Sequence, residues 1–559
     1  MENFSRGLIT SALLLLFTLF VTSNLKAESY ILLQNNTSFN LQLNTTLQAD
    51  SPLADEAWWG KDGTIIPWQT ETNVLWTNRN VGIKNGGNYY YTIGISAGPD
   101  TIEFKVWVQG LVLGSRMRFA LNTKETKKHW HSNNDFHDLT FSLNGKLVTA
   151  KFAAYSTRAA NSDIVLAIHE HQPYPSNPVD AINPDVINVL SYNIYMLKPP
   201  IAFTHQQRRA AVIPQNVHGY DAIIFNEAFY DSAREILLEG LAFEYPYQTK
   251  VLDKKGSWFN GGVIIVSRWP IETSNQFNYK NCVGEDCVAA KGVLYAKINK
   301  LGRSYHLFGT HAQAGDSRKR IAVRQLQLEE LYEFVNAQNI LPSEAVLIGG
   351  DLNVDRIKNT SDEYCRMLTA VCAQEPDYAA YKYTFNGTSN YYCADETSTK
   401  YLDYILPHTS YVKPLKATNE VRIFRTIEDK LWRIFDLSDH FSVYGKFVFA
   451  PESLGQNNQE PTEQPVLVSS AQPEATASLL NKLSDYLNGI QSKGDTTFAS
   501  MLHHLYDYVS VYQESLVANA CSIIDTATIK EQMQYMRQHG STLLQVQPTT
   551  LLPGTLPSK

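Results

Sequence analysis

The chain has 559 residues, of which 44% are hydrophobic and 18% charged, and its formal net charge is −7. A single hydrophobic core stops growing at roughly 250–300 residues, so two or three domains are expected. The composition excludes a disordered chain, and the acidic balance argues against a nucleic-acid partner, whose phosphates need clustered Lys and Arg.

At the N-terminus Arg6 precedes an apolar run over residues 8–21, and small and polar residues lead on to Ala27. That order reads as a secretory signal peptide over 1–27. The run falls short of the ~20 apolar residues that a span needs. No later segment is long and apolar enough, so the cleaved chain is expected to be secreted with no transmembrane span. Residues 28–170 hold alternating stretches at 89–95, 102–108 and 139–143, broken by Asn and Gly. Period-two alternation with such breaks predicts an all-β sandwich, suited to binding lipid or sugar or to supporting the rest. His129, His131 and His137 read there as a solvated loop rather than a metal site. A Pro-rich passage marks a linker over 171–185.

From 186 to 450 strand-like runs at 186–190, 222–225, 263–266 and 345–348 alternate with helical stretches. One helix is expected over about 205–213, stopped by Pro214, and another over about 318–338. This interleaving indicates an α/β sandwich. Residues 451–478, rich in Gln, Glu, Pro and Ser, read as a disordered linker. Helical spacing of Leu479, Leu480, Leu483 and Leu487 predicts a small helical domain over 479–544, followed by a frayed tail over 545–559. The cysteines are Cys282, Cys287, Cys365, Cys372, Cys393 and Cys521. An exported chain permits disulfides, and Cys282 with Cys287 is the nearest local pair.

Polar residues collect at the ends of the strand-like runs: Asn193, Glu227, His311, Asp351, Asn353, Asp403, Asp439 and His440. Carboxylates and carboxamides gathered in this way suit a hard cation such as Mg²⁺. Histidines beside them suit proton transfer near neutral pH.

In chain order, Ser191-Tyr-Asn193, Asn226-Glu227, Gly309-Thr-His-Ala-Gln313, Gly349-Gly-Asp-Leu-Asn353, Leu402-Asp-Tyr-Ile405 and Ser438-Asp-His440 resemble the endonuclease/exonuclease/phosphatase (DNase I-like) superfamily. The resemblance implies a four-layer α/β sandwich over 186–450. Gly309 to Gln313, and Asp286 placed five residues before Lys291-Gly292, are similar to the neutral sphingomyelinases. That likeness implies a secreted, Mg²⁺-dependent phosphodiesterase, with Mn²⁺ or Co²⁺ able to substitute. Its substrate would be membrane sphingomyelin or a related choline phospholipid, split to ceramide and phosphocholine. The alternatives on the same fold are an exported nuclease and an inositol-lipid phosphatase.

The same resemblance implies residue roles. Glu227 is the principal Mg²⁺ ligand, with Asn193 close by and Asp439 on the metal side. His440 is the general base, and Asp403 fixes its tautomer. Asp351 and Asn353 position water and phosphate. His311 either stabilises the phosphoryl group or protonates the leaving alkoxide. Lys291 and Asp286 act near the substrate phosphate, with a plain ion pair as the alternative. A membrane-bound substrate needs peripheral surface contact, for which aromatics are suited. Trp432 and Phe435, which resemble in position the aromatic hairpin of bacterial sphingomyelinases, are one candidate. Trp258 and Phe259 are the other.

Overall fold

The computed structural model describes residues 28–451 apart from 54–56, 79–81, 113, 123–134, 154–163, 175–179, 359–360 and 394–396. The expected signal peptide, His129, His131, and the linker, helical and tail segments after residue 451 lie outside the described residues.

Alternation builds the N-terminal part. In the strand Asn88–Ala97, Tyr89, Tyr91, Ile93 and Ile95 point inward, while Tyr90 faces out. Their sheet, with Gly63–Ile65, Leu41–Ala49, Asp100–Gly110 and Ser115–Asn122, faces a second sheet. The second sheet runs in the order Trp58–Gly60, Thr72–Asn78, Glu28–Asn36, Ile164–Glu170, Lys146–Ala153, Phe136–Leu143. Between them Ile31, Leu33, Phe104, Phe119, Phe152 and Leu166 share one core. Each such side chain contributes roughly 1.5–3 kcal/mol by leaving water.

The strand Ile164–Glu170 departs from simple alternation. Ile164, Leu166 and Ile168 enter the core, yet Val165 and Ala167 on its other face are buried too. Phe435 covers them at 2% exposure, and Trp432 meets Phe136 edge-on at 5.2 Å. This corrects the expectation that Trp432 and Phe435 face a membrane. The apolar outer face of that strand needs a cover, and these aromatics supply it.

In the α/β part, seven strands form one sheet in the order Tyr247–Gln248, Ile264–Ser267, Ala222–Asn226, Val186–Asn193, Ser442–Val448, Lys416–Arg422, Asp377–Ala380. Five form the other: Ile271–Asn278, Gly292–Lys300, Arg303–His311, Ala345–Asp351, Asp403–Pro407. Val189, Ile224, Ile265, Leu307, Leu347, Ile405 and Phe447 fill the space between the sheets. The helices Gln206–Val212 and Asp231–Leu241 bury Ala210 and Leu237 on the outside of the first sheet. Pro214 lies in the 3₁₀ turn that ends the first of them, because proline cannot continue the backbone ladder. The helix Arg318–Asn336 covers the second sheet, where Phe334 packs on Phe277 and Phe308 at 5.8 and 6.1 Å. Two packed sheets with helices outside are the four layers expected.

Register then places the polar strand ends. The parallel strands Val186–Asn193 and Ala222–Asn226 pair Asn193 with Asn226. In the other sheet His311 pairs with Asp351, and Asp351 with Asp403. Gly350 makes the close approach possible. Its φ is +137°, and a Cβ there would lie 1.8 Å from the Thr310 carbonyl oxygen.

Candidate active site

The polar strand ends converge on a cleft of about 220 Å³ lined by Glu227, Asp286, Lys291, His311, Asp351, Asn353 and His440, among others. Asn193 lies beneath it. Its Nδ2 donates to Glu227 Oε1 and to Asp351 Oδ2, each at 3.1 Å, so one carboxamide bridges the two sheets. Asn226 makes a second bridge. Its Nδ2 donates to the Thr310 carbonyl at 2.9 Å, and its Oδ1 accepts from the Asp351 amide at 3.1 Å. Glu227 and Asn353 both hold positive φ, +59° and +53°. Strained backbone of this kind persists where the surroundings over-determine it, typically at functional sites.

His440 Nδ1 lies 2.8 Å from Asp403 Oδ2, and its Nε2 lies 3.8 Å from Asp351 Oδ2. The Phe385 ring meets the imidazole edge-on at 5.3 Å. Burial disfavours the imidazolium, but the charges of Asp403 and Asp351 outweigh it and hold the His440 pKa well above its ordinary value. His311 goes the other way. Burial first, then the charges of Lys291 and His440, hold its pKa well below the ordinary value. Lys291 Nζ lies 3.1 Å from His311 Nε2, donates to the Ala312 carbonyl at 2.9 Å, and pairs with Asp286 Oδ2 at 3.0 Å. Lys291 is 6% exposed, so the plain surface ion pair is not what the fold builds. Asp286 sits inside the loop closed by the Cys282–Cys287 disulfide and accepts from the Ala314 amide at 2.8 Å. Asp439 Oδ1 lies 3.2 Å from Ser438 Oγ.

Glu227, Asp351, Asp403 and Asp439 thus bring negative charge together, faced by Lys291, Arg209 and, when protonated, His440. Burial, then the Asp439 carboxylate, pushes Glu227 up to about 7. Burial, then Asp403, pushes Asp351 up to about 6. One Asp403 oxygen, Oδ1, is buried without a hydrogen-bond partner. Crowded oxygen donors short of positive charge fit a hard divalent cation. Ligand atoms of Asp351, Asp403 and His440 lie within 4.8 Å of one another and form one candidate cage. There, however, Asp403 Oδ2 is already taken by His440 Nδ1, and a ring nitrogen suits a hard cation poorly. The Glu227 side is the better fit.

The structure therefore gathers His440, Asp403, Asp351, Asn353, His311, Lys291, Asp286, Glu227, Asn193 and Asp439 at one end of the sheets. Trp432 and Phe435 lie against the N-terminal sandwich instead. Trp258 is 88% exposed, and Phe259 is half-buried under the Lys198 ammonium at 5.8 Å. The sequence reading gave no role to Asn226, Phe385, Lys400 or Arg209. Asn226 stood beside Glu227 in a quoted motif. Phe385 and Lys400 reach the cleft through their mutual pairing and the bridge from Phe385 to His440. Arg209 is wholly buried and donates from Nη1 to the Ile194 and Leu437 carbonyls at 2.6 and 2.7 Å.

Stacked sheets whose strand ends carry a His–Asp pair opposite clustered carboxylates define the class. A model of the endonuclease/exonuclease/phosphatase family matches residues 190–440. The chain is 38% identical over 299 residues to Sphingomyelinase C 2 of Leptospira interrogans serovar Lai, a match covering 48% of this chain and 47% of that protein. It is 35% identical over 264 residues to Sphingomyelinase C of Bacillus cereus, covering 42% of this chain and 79% of that protein. The chain spans about half the length of the Leptospira relatives it matches. A mutant beta toxin of Staphylococcus aureus, solved with bound magnesium ions, is 32% identical over 46% of this chain and 98% of its own, with a TM-score of 0.43. The chain belongs to the sphingomyelinase C family of the endonuclease/exonuclease/phosphatase superfamily.

Proposed function

We propose that this chain is a secreted, Mg²⁺-dependent phosphodiesterase that hydrolyses sphingomyelin, or a related choline phospholipid, to ceramide and phosphocholine. The observation that carries the reading is that His440, held from behind by buried Asp403, lines the same cleft as Glu227. Asp403 accepts from Nδ1, which leaves Nε2 of neutral His440 to take a proton from water. The new bond joins water oxygen to phosphorus. The bond from phosphorus to the ceramide oxygen breaks, and that oxygen leaves with the electron pair and takes a proton from solvent, to which His440 returns the one it accepted. Glu227, with Asn193 and Asp439, would hold Mg²⁺, which when bound offsets negative charge on the phosphoryl group and lowers the pKa of His440.

Lys291 donates toward His311 Nε2, so this ring is a neutral acceptor at rest and a poor proton reservoir. That favours phosphoryl stabilisation by Lys291, with His311 and Asp286 holding the lysine. Asp351 and Asn353 orient water and phosphate. The Cys282–Cys287 disulfide and the apolar N-terminal run both fit export.

Membrane contact falls to Trp258, the candidate aromatic that stands exposed. Trp258 adjoins Phe259, which pairs with Ala289 beside exposed Val288. Lys198, over the Phe259 ring, turns back to exposed Ile201. An apolar rim of this kind suits a lipid interface.

A substrate panel tests the proposal. Purified protein is incubated with sphingomyelin, phosphatidylcholine, phosphatidylinositol phosphates and plasmid DNA, with Mg²⁺ or with EDTA. Release of phosphocholine from sphingomyelin in Mg²⁺ alone is expected. Cleavage of DNA without phosphocholine release would assign the chain to the nucleases instead.

A further inference from the structure

The loop carrying Asp439 and His440 is anchored from two sides. On one, Arg209 holds the Leu437 carbonyl, and Ser438 Oγ donates to the Asn193 carbonyl at 2.7 Å. On the other stands Arg425, whose side chain is wholly buried. Its Nε donates to Asp436 Oδ1 at 2.7 Å, and its Nη2 to the Ser389 carbonyl. Its Nη1 donates to the Trp68 carbonyl at 2.9 Å and to Asn36 Oδ1 at 3.2 Å. Asn36 and Trp68 belong to the N-terminal sandwich. Asp436 in turn accepts from the Tyr391 amide at 2.9 Å, and the neighbouring Asn390 donates to the Ser438 carbonyl at 2.8 Å. One guanidinium therefore ties the sandwich to the backbone that presents His440.

The surrounding contacts clasp the same segment. Arg433 reaches Glu71 at 2.7 Å, and Lys151 donates to the Ile427 carbonyl at 2.8 Å. Phe435 plugs the apolar face of the strand Ile164–Glu170. Leaving the donors of a buried guanidinium without acceptors is strongly disfavoured, which couples Arg425 to its carbonyl partners.

We propose that Arg425 is a positioning residue for His440, and that through it the N-terminal sandwich is a working part of the catalytic apparatus. Without the acceptors on Asn36 and Trp68, the guanidinium keeps Asp436 and Ser389 but no longer fixes them against the sandwich. The strap from Asp436 through Tyr391 and Asn390 to Ser438 then slackens. His440 loses its alignment with Asp403 while the remaining lining of the cleft stays in place. Displacements on the order of 1 Å at a reacting group cost about 100-fold in rate.

The inference rests on the hydrolase reading, and the full-length chain tests the two separately. Turnover of a water-soluble phosphocholine ester is measured for the parent, Arg425→Gln, Arg425→Lys and Asn36→Ala. Arg425→Gln is expected to lose roughly 10- to 100-fold in kcat with KM within about twofold. Asn36→Ala, which keeps the Arg425–Asp436 pair, should lose about threefold or more in kcat, again with little change in KM. Arg425→Lys keeps the ion pair but not the fork, and should fall between parent and Arg425→Gln. Hydrogen exchange is followed in parallel, and in both Arg425→Gln and Asn36→Ala amides over 437–441 should exchange faster while those over 222–226 do not. Parental kcat in folded Arg425→Gln, or unchanged exchange over 437–441, overturns the inference. If Arg425→Gln does not fold, Asn36→Ala decides by the same criteria. A parent inactive on the ester defeats the hydrolase reading, and the exchange result still decides whether the sandwich holds this loop.

Discussion

His440 and Asp403 share a hydrogen bond of 2.8 Å, and their side chains are 7% and 0% exposed. A bond so shielded is stronger than one in water, and it fixes which imidazole nitrogen faces the cleft. Asp403 starts the strand Asp403–Pro407, whereas His440 comes two residues before the strand Ser442–Val448 in the opposite sheet. The pair therefore reports the packing of the two sheets on each other.

Asp403→Asn should preserve shape and reverse the tautomer, because the new amide donates to Nδ1 and leaves Nε2 protonated. On the order of a 10³-fold fall in kcat on a soluble phosphocholine ester is expected. Calorimetric Mg²⁺ affinity should change little. A large loss of metal affinity would place Asp403 in the cation site.

Glu227→Gln separates the two candidate cation positions. With the cation on the Glu227 side, the Mg²⁺ concentration for half-maximal activity should rise at least about tenfold. EDTA should abolish activity in the parent, and added Mg²⁺ should restore it. An unchanged midpoint would favour Asp351, Asp403 and His440 as the cage.

The exposed and covered aromatics should behave differently. Trp258→Ala is expected to lower hydrolysis of sphingomyelin in vesicles while sparing a soluble ester. Phe435→Ala should instead destabilise the chain by about 3–5 kcal/mol, as for other buried Phe truncations, and depress both activities. Paired vesicle and ester assays with urea melts check this. Equal losses on both substrates for Trp258→Ala would contradict the landing role.

The contrast shows where sequence reading reaches and where it stops. Asn193, Glu227, Asp351 and His440 were legible because each stands at the end or the start of a strand-like run in a motif that chemistry constrains. The helix Gln206–Val212 was legible because Pro214 marks its end. Trp432 and Phe435 misled, since an aromatic run looks alike whether its partner is lipid or protein. Their cover comes from Phe136, Val165 and Ala167, more than 250 residues away. The one local hint lay in that distant strand, where residues 164–168 are apolar on both faces. The edge strand Ile271–Asn278 was also missed, because its exposed polar residues carry no alternation.

His408 should set part of the acid sensitivity of the fold. It is 1% exposed, its Nε2 is buried without a partner, and burial lowers its pKa to about 4. Unfolded, it titrates near 6.5, so between pH 6.5 and 4 the unfolded chain binds a proton that the fold does not. Its contribution is fully present above pH 6.5 and is lost as pH falls toward 4. From pH 7 to 5 the loss should be about 2 kcal/mol. His408→Phe, stacked on Tyr332 as His408 is, should flatten the urea stability profile by that amount. Identical profiles for parent and variant would show that His408 does not carry the effect.

Hydrolysis of sphingomyelin in ¹⁸O-labelled water, run with the parent and with His440→Ala, bears most directly on water activated by His440 attacking phosphorus. The expected result is label in phosphocholine and none in ceramide, with the variant's rate lower by at least about 10³-fold. Label in ceramide, or a His440→Ala rate close to the parent's, would contradict it.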